Sequence, residues 1–260
     1  MRIGLIGAGN MARALARGWA EPVLCSDGGS GRAAELAAEV GGEALPSNRE
    51  VAERADLVVL CHKPYQLEAV ARELGDSTVA VASILGATPT GTLQAAYPNS
   101  QVFALIPNTP VEVRQGVTVY AERERSQQFV VDAELEARVL ELFGRLGMVV
   151  RVPESQIATA TAVCGVGPAY QALLAEAQVD AAVRRGLKPD LASRLVTATM
   201  SGTAALLEQR GFDTLAVRRE VTSPGGSTAR GLAALEQAGV RSAFQAAMDA
   251  VAGPHPQGSR

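Results

Sequence analysis

Short apolar runs alternate with longer amphipathic segments over residues 1–152. The apolar runs are IGLIG, PVLCS, DLVVLC, TVAVASI and QVFALI, and we predict a buried strand from each. The intervening segments ARALARGWA, RAAELAAEV and YQLEAVAREL have apolar residues at helical spacing. This alternation predicts a parallel sheet with helices on both faces. GVTVYA and MVVRV predict two further strands near the far edge, with a helix over 132–146 between them.

The pattern changes near residue 153. The segments VDAAVRRG, LASRLVTATMSGTAALLEQ and TARGLAALEQAG are all typical of helices, and no convincing strand remains. We therefore predict an α/β doubly wound domain over 1–152 and an all-helical domain over 153–252. The Pro- and Gly-containing segment 253–260 is expected to be a flexible tail.

Composition narrows the functional classes. The 260 residues are 47% hydrophobic and 20% charged, as in a soluble globular protein, and a net charge of −3 gives no field for nucleic acid or an anionic membrane. We find no apolar run of about 20 residues and no signal peptide, so we expect a cytoplasmic protein without a membrane span. The spacing of Cys25, Cys61 and Cys164 and the scarcity of histidine argue against a disulfide framework and against a metal site.

A glycine motif follows the first predicted strand. The segment from Gly7 through Gly9, Asn10 and Met11 to Ala12 fits G-x-G-x-x-G/A. The first glycine permits a tight turn, and the second lets the backbone approach a pyrophosphate at the start of the following helix. In a repeating strand–helix context this motif predicts a Rossmann-type dinucleotide site rather than a turn that serves packing alone.

The end of the second strand bears on which dinucleotide is bound. Asp27 lies where an acidic residue would bind the adenosine ribose of NAD. The hydroxyls of Ser26 and Ser30, with Arg32, would instead suit the extra phosphate of NADP. We favour NADP, with NAD as the alternative.

Two more predicted strands end in polar groups at the same edge. His62, Lys63 and Pro64 follow one strand; Lys63 could neutralise a phosphate or carboxylate, and His62 suits local hydrogen bonding better than base catalysis. Asn108 lies in the rigid loop IPNTP that follows another, although a loop without function would have the same sequence. These residues are candidates for contact with a cofactor.

The segment from Val221 to Thr228, VTSPGGST, leads into a predicted helix. Its glycines, Ser and Thr would place several N–H donors around one point, which is typical of a site for a carboxylate or phosphate. By itself the segment would equally suit an ordinary capped helix.

GLIGAGNMA, HKP, PNTP, GVGPAY and VTSPGGST occur here in the order, and at about the spacing, of pyrroline-5-carboxylate reductases. The chain resembles that family over about 1–252. The resemblance implies NAD(P)H-dependent reduction of the C=N bond of 1-pyrroline-5-carboxylate to L-proline. It also implies a helical domain that dimerises, with small molecules as the only other partners and no resident metal.

The resemblance also implies roles for individual residues. Thr228 would face the imine nitrogen, and Ser223, with the loop Gly225, Gly226 and Ser227, would hold the substrate carboxylate. Glu176 would organise the substrate loop. The cofactor would lie along a set of residues shared with the motifs above: Gly7, Gly9, Asn10, Met11, Ser26, Arg32, Asn48, His62, Lys63, Pro64, Ser83 and Asn108.

The sequence departs from the family pattern at several positions. An arginine, a methionine and an aspartate of the pattern are replaced by Ala104, Ile106 and Ala158, and Leu85–Gly86–Ala87 replaces a different small-residue run. Two alternatives follow: a reductase of another cyclic imine, or a dinucleotide-binding paralogue without turnover. A β-hydroxyacid dehydrogenase is disfavoured, because no lysine occurs between Lys63 and Lys188 to act from the interdomain helix.

Overall fold

The computed structural model describes residues 1–122 and 131–253. Only Gly253 of the predicted tail falls within these residues. The strands are β1 (Ile3–Ile6), β2 (Leu24–Ser26), β3 (Glu43–Ala44), β4 (Leu57–Leu60), β5 (Ala80–Ser83), β6 (Val102–Pro107), β7 (Gly116–Glu122) and β8 (Gly147–Pro153). The helices of the first part are α1 (Asn10–Trp19), α2 (Arg32–Val40), α3 (Asn48–Arg54), α4 (Leu67–Leu74), α5 (Thr90–Ala96), α6 (Ala133–Gly144) and α7 (Ile157–Cys164).

The described strands form one sheet in the order β3-β2-β1-β4-β5-β6-β7-β8. Strands β1 to β6 pair in parallel, so their carboxyl ends share one edge. The chain then reverses, because β7 is antiparallel to β6, and β8 returns parallel to β7. The seven predicted strands and the Rossmann-type sheet are confirmed.

Alternate residues of each strand point to opposite faces, and each face has its own apolar core. One core joins Leu5, Val59 and Phe103 to helices α1, α2 and α6, whereas the other joins Val58 and Val81 to helices α3, α4 and α5. Runs such as LVVL are buried on both faces, which is why their hydrophobicity is continuous rather than alternating. The predicted helix cover on both faces is confirmed.

Trp19 fixes helix α1 to helix α6. Its indole Nε1 donates to the Leu142 carbonyl at 3.0 Å, and its ring meets Phe143 edge to face at 5.5 Å. A buried indole N–H without a partner would cost free energy, so this bond accompanies the burial of the large ring.

Three elements of the first unit were absent from the sequence prediction: β3, α3 and the seven-residue helix α5. Strand β3 has only two residues, and α3 has seven, of which Asn48, Arg49, Glu50, Glu53 and Arg54 are polar. Neither gives an apolar period long enough to recognise. The side chain of Ser47 starts α3 by accepting from the Glu50 amide.

The chain divides into two compact units, Met1–Pro168 and Ala169–Arg260. In the second unit, the regular elements among the described residues are all helices. They are most of α8 (Gly167–Arg184), then α9 (Pro189–Gln209), α10 (Thr214–Glu220), α11 (Ser227–Gln237) and α12 (Val240–Ala252). Helix α9 contacts α10, and α11 contacts α12. The helical second domain is confirmed. The boundary near residue 153 remains a prediction, since the two units divide after α7.

One helical stretch bears on the expected absence of a membrane span. Glu154–Arg184 has a mean hydropathy of 1.3 in its most apolar window, and by length and composition alone it could cross a membrane. The expected absence of a membrane span stays a prediction, because length and composition alone do not test it. Ala, Val and Leu raise the hydropathy although small and polar residues interrupt the run. Only 6% of the window is buried.

Candidate active site

The parallel strands bring several predicted site residues to one edge of the sheet. Ile6 pairs with Ser26 on one side and with Leu60 on the other, and Leu60 pairs with Ser83. Since these strands all end at the same level, Gly7, Ser26, His62 and Ser83 lie along one line. In open α/β sheets, ligands bind at this carboxyl edge.

Gly7 and Gly9 serve different needs. Gly7 has φ +101°, and an added Cβ would lie 2.8 Å from the Cys61 carbonyl carbon, so the turn needs glycine here. Gly9 precedes helix α1 without a side-chain cap, and an added Cβ would meet no protein atom within 4 Å. The space over Gly9 is therefore open for a ligand at the helix start, where Asn10 and Met11 begin α1.

Asp27 organises the loop after β2. One of its oxygens accepts from the Gly29 amide at 2.8 Å, and the other accepts from the Ser30 hydroxyl at 2.8 Å and the Ala33 amide at 2.9 Å. Burial raises the pKa of Asp27, but these hydrogen bonds outweigh it, and the pKa lies below its ordinary value. Both oxygens are thus engaged within the loop, while the exposed Arg32 begins α2.

Ser26 and Asn48 are tied to each other behind this loop. Ser26 is 1% exposed, and its hydroxyl donates to Asn48 Oδ1 at 2.6 Å. The Asn48 amide in turn donates to Glu73. The predicted cofactor residue Asn48 therefore lies beside the end of β2, positioned from two sides.

His62, Lys63 and Pro64 form the turn after β4. His62 Nδ1 lies 2.9 Å from the Lys63 carbonyl oxygen, whereas Nε2 is buried without a hydrogen-bond partner among the described residues. Burial lowers the pKa of His62, which keeps the ring neutral. Lys63 is exposed, and Pro64 starts a 3-10 turn, Pro64–Gln66.

Ser83 and Asn108 already have partners within the protein. The Ser83 hydroxyl accepts from the Leu85 amide at 3.3 Å. Asn108 Nδ2 donates to the Cys164 carbonyl at 3.0 Å, and its Oδ1 accepts from the Val117 amide at 2.8 Å. Asn108 thus joins β7 to the end of α7, and both ends of its amide are engaged.

The second unit holds the predicted substrate loop at the start of α11. Gly225 has φ +70°, and a Cβ on Gly226 would lie 2.4 Å from Ser223 Oγ, so the two glycines permit a tight turn. Gly226 precedes the helix without a side-chain cap. The first amides of α11, including those of Ser227 and Thr228, therefore lack intrahelical acceptors.

Arg230 supports this loop from within its own helix. Its Nη1 donates to the Gly225 carbonyl at 2.7 Å, and its Nη2 to Ser227 Oγ at 3.3 Å. The guanidinium also adds positive charge at a helix end that already favours anions. Sequence reasoning did not select Arg230. The predicted catalytic residues Thr228 and Glu176 are exposed.

One apolar pocket also lies at the sheet's carboxyl edge, and sequence reasoning missed it. Its volume is about 210 Å³, and it has Thr90 and Glu154 among its lining residues. Glu154 Oε1 accepts from the Thr90 amide at 2.6 Å across 64 positions of sequence. No local motif signals a contact over that separation. No group of three or more His, Cys, Asp or Glu that could hold a metal ion was found in residues 1–122 and 131–253.

Comparison with known proteins decides the family. Residues 154–254 match the family model described as "pyrroline-5-carboxylate reductase dimerisation". Residues 2–86 match a second family model, described as "NADP oxidoreductase coenzyme F420-dependent". A Synechocystis pyrroline-5-carboxylate reductase is 34% identical over 94% of this chain and 93% of its own length. The chain belongs to the pyrroline-5-carboxylate reductase family.

Other family members agree along almost the whole chain. Mouse pyrroline-5-carboxylate reductase 3 is 32% identical over 96% of this chain and 93% of its own length. The structure of Plasmodium falciparum pyrroline carboxylate reductase, with NADP bound, superposes with a TM-score of 0.84 at 26% identity, covering 97% of this chain and 95% of that one. The structure of the Coxiella burnetii pyrroline-5-carboxylate reductase superposes with a TM-score of 0.83 at 29% identity, covering 96% of this chain and 96% of that one. The predicted family and its two-part architecture are confirmed.

Proposed function

We propose that this enzyme reduces the C=N bond of 1-pyrroline-5-carboxylate to give L-proline, with NADPH as the hydride donor. The names of its relatives support the reaction, and the NADP-bound Plasmodium relative supports the cofactor. The observation that carries the proposal is the uncapped start of α11 at Ser227, where Gly226 lies close to Ser223 and Thr228 follows in the first turn. Free amides at a helix start suit the substrate carboxylate.

The residues of this loop supply binding and orientation. The Ser227 amide and the Ser223 hydroxyl hold the carboxylate, and Gly225 permits the turn that presents them. The Gly226 amide donates to the Ser223 carbonyl at 3.1 Å, so it would have to leave that bond to join them. NADPH supplies the hydride when bound. The Thr228 hydroxyl faces the imine nitrogen and orients or relays its proton; a protonated imine is already electrophilic, so no strong acid is required. Glu176 helps to organise the loop.

The residues at the sheet edge fit a dinucleotide. Gly9 leaves space for the pyrophosphate, with the amides of Asn10 and Met11 at the helix start. Ser26, Asn48, Ser83, His62, Lys63, Pro64 and Asn108 complete the proposed cofactor edge. Because the Asp27 carboxylate is engaged by its own loop, the exposed cation Arg32 favours the extra phosphate of NADP over the ribose hydroxyl contact typical of NAD.

The same proposal includes a homodimer in the cytoplasm. The match to a dimerisation model and the exposed apolar residues of the second unit support self-association. The cysteines Cys25, Cys61 and Cys164 are all unpaired, as is usual in a reducing compartment.

The experiment is nicotinamide oxidation by the purified enzyme with 1-pyrroline-5-carboxylate, run separately with NADPH and NADH. We expect proline to form faster with NADPH. Thr228→Ala should lower kcat sharply while NADPH still binds, and Gly9→Val should prevent NADPH binding because its side chain fills the pyrophosphate space. Tight cofactor binding without turnover of this substrate would contradict the assignment and favour a different imine or a non-catalytic paralogue.

A further inference from the structure

Arg230 lies in the first turn of α11, beside the loop proposed to hold the substrate carboxylate. It is the fourth residue of that helix, and the side chains of helical residues lean towards the N-terminus. The guanidinium accordingly reaches back, so that Nη1 donates to the Gly225 carbonyl at 2.7 Å and Nη2 to Ser227 Oγ at 3.3 Å. The positive charge of Arg230 therefore lies at the start of α11.

No acidic side chain neutralises this charge. Arg210 pairs with Glu220 at 2.9 Å and Arg241 pairs with Glu236 at 2.8 Å, whereas Arg230 forms no ion pair with any described residue. Its two partners, a carbonyl and a hydroxyl, are both neutral. These bonds use two of the five N–H groups of a guanidinium, so three remain for other acceptors. A cation with unused donors and no anionic partner suits an anionic ligand.

The bond from Arg230 also changes what the Ser227 hydroxyl can do. A serine hydroxyl has one O–H donor and two acceptor lone pairs. Because Ser227 Oγ accepts from the guanidinium, its own proton can be donated to a ligand, and accepting from a cation makes it a stronger donor. Ser227 is exposed and begins α11. Arg230 thus adds charge and a stronger hydroxyl donor beside the amide that is proposed to bind the carboxylate.

We propose that Arg230 is a specificity-determining residue that selects imines carrying a carboxylate. This inference rests on the proposed function, because it assumes that the loop before α11 binds the substrate. A helix start attracts anions by its partial positive charge, and the full charge of Arg230 strengthens that attraction. Thr228 is the proposed contact of the imine nitrogen, so Arg230 acts on the part of the substrate that is not reduced. Its loss should weaken substrate binding and affect the hydride step little.

Two unreactive ligands of the same shape test the role of charge: cyclopentanecarboxylate and its neutral amide, cyclopentanecarboxamide. In calorimetry with the NADP⁺-bound enzyme, wild type should bind the carboxylate more tightly than the carboxamide. Arg230→Met removes the charge and both hydrogen bonds, so it should weaken binding of the carboxylate about fivefold and leave that of the carboxamide unchanged. Arg230→Lys keeps the charge but loses the planar fork, so its affinity for the carboxylate should be intermediate.

Kinetics distinguish a role in carboxylate binding from a purely structural role in the loop. In Arg230→Met, KM for 1-pyrroline-5-carboxylate should rise about fivefold while kcat changes less than about twofold. The constants for 1-pyrroline, which has no carboxylate, should stay the same. Added salt should raise KM for 1-pyrroline-5-carboxylate more in wild type than in the variant, because ions screen the charge. A structural defect in the loop would instead affect both imines and would not change the salt dependence.

The matched control is Arg241→Met, which removes an arginine that contacts the opposite end of the same helix. Arg241 pairs with Glu236, which lies about 14 Å from Ser227 along the axis of α11. The net charge of the protein changes as it does in Arg230→Met. We expect this control to bind both ligands as wild type does and to keep the wild-type KM for both imines.

The outcomes separate this inference from the proposed function. The inference is wrong if wild type binds the carboxylate no more tightly than the carboxamide, or if Arg230→Met weakens binding of both ligands equally. Turnover of 1-pyrroline-5-carboxylate alongside either result would leave the proposed function intact. Selective loss of carboxylate binding in Arg230→Met, without turnover of 1-pyrroline-5-carboxylate by wild type, would support the role of Arg230 and contradict the proposed reaction.

Discussion

The two units differ in how they bury apolar side chains. Met1–Pro168 has an apolar core on each face of its sheet, with large side chains such as Phe103 and Phe143 at most 1% exposed. Among the described residues 169–253, only Ala192 and Val217 are buried apolar residues. The second unit instead exposes a set of large apolar side chains: Leu173, Val183, Leu187, Leu191, Leu195, Phe212, Leu215, Val221, Leu235, Phe244 and Val251.

Because of this difference, the first unit can fold by its own contacts, whereas the stability of the second should depend on assembly. The first unit removes its apolar surface from water by its own contacts, whereas helices without a covered face gain little stability in water. We infer that the second unit becomes stable mainly when another surface covers it, and a second copy of the chain is the partner that the dimerisation match supports. Its stability should therefore depend on protein concentration.

The largest expected effect is on assembly. Leu195 is 51% exposed on α9, and Leu195→Asp should place a charge in the proposed dimer interface and give monomers in analytical ultracentrifugation. The matched control is Val113→Asp, at a residue that is 67% exposed in the first unit, and this variant should remain dimeric. A dimeric Leu195→Asp protein would break the proposed contrast between the units.

Truncation of a core residue should act differently from truncation of an exposed one. Leu57→Ala removes a fully buried side chain from β4 and should lower the free energy of unfolding by about 3 kcal/mol at every protein concentration. Leu195→Ala should instead lower Tm more in dilute than in concentrated samples. Tm is measured for both variants by thermal unfolding at low and at high protein concentration. If Tm depended equally on concentration in the two variants, the proposed difference between the units would be contradicted.

Substitution of a glycine that has positive φ should destabilise the first unit more than the second, although these losses are smaller than that of a buried leucine. Gly7→Ala adds a steric clash with the Cys61 backbone to the cost of a positive φ, so we expect a loss of about 2 kcal/mol or more. At Gly225 an added Cβ meets nothing within 4 Å, so Gly225→Ala should lose only about 1 kcal/mol. Urea unfolding of both variants gives the difference, and similar losses would contradict the close approach at Gly7.

The smallest effect concerns pH. Burial lowers the pKa of His62 below its ordinary value of 6.5, so the unfolded chain binds this proton more readily than the folded one. Wild type should therefore lose stability as the pH falls through 6.5, with no contribution from His62 at higher pH. In the His62→Asn variant, the free energy of unfolding should depend less on pH below 6.5 than it does in wild type. Urea unfolding of the cofactor-free proteins at a series of pH values measures this dependence. An unchanged slope would mean that His62 does not titrate differently on folding.

The sequence predicts the sheet well because its strands are buried on both faces. Runs such as LVVL and VFALIP are continuous and apolar, and the alternation with amphipathic segments is regular. The hydrophobic pattern alone did not predict the reversal at β7, because an antiparallel and a parallel neighbour have the same pattern. Only the short turn of Thr109–Val113 between β6 and β7 distinguishes them.

The candidate site was predictable where a backbone requirement selects a residue type. Gly7 is such a position, because its φ and the nearby Cys61 backbone both require glycine. Side chains such as Asp27 and Asn108 are different, since each could face a ligand or a neighbouring loop and sequence does not show which. The departures Ala104 and Ile106 share one face of β6, and Ala158 lies far from them along the chain, yet all three line the same pocket.

The order of the two units along the chain has a consequence for synthesis in the cell. The ribosome completes the self-sufficient unit by Pro168, before it makes the helices that lack a core. Domains generally fold as they emerge, so a nascent chain should already hold a formed dinucleotide fold while its remaining segment waits for a second chain. During that interval, chaperones and proteases have access to the exposed helices. The abundance of the enzyme should therefore fall more than proportionally when its expression is reduced.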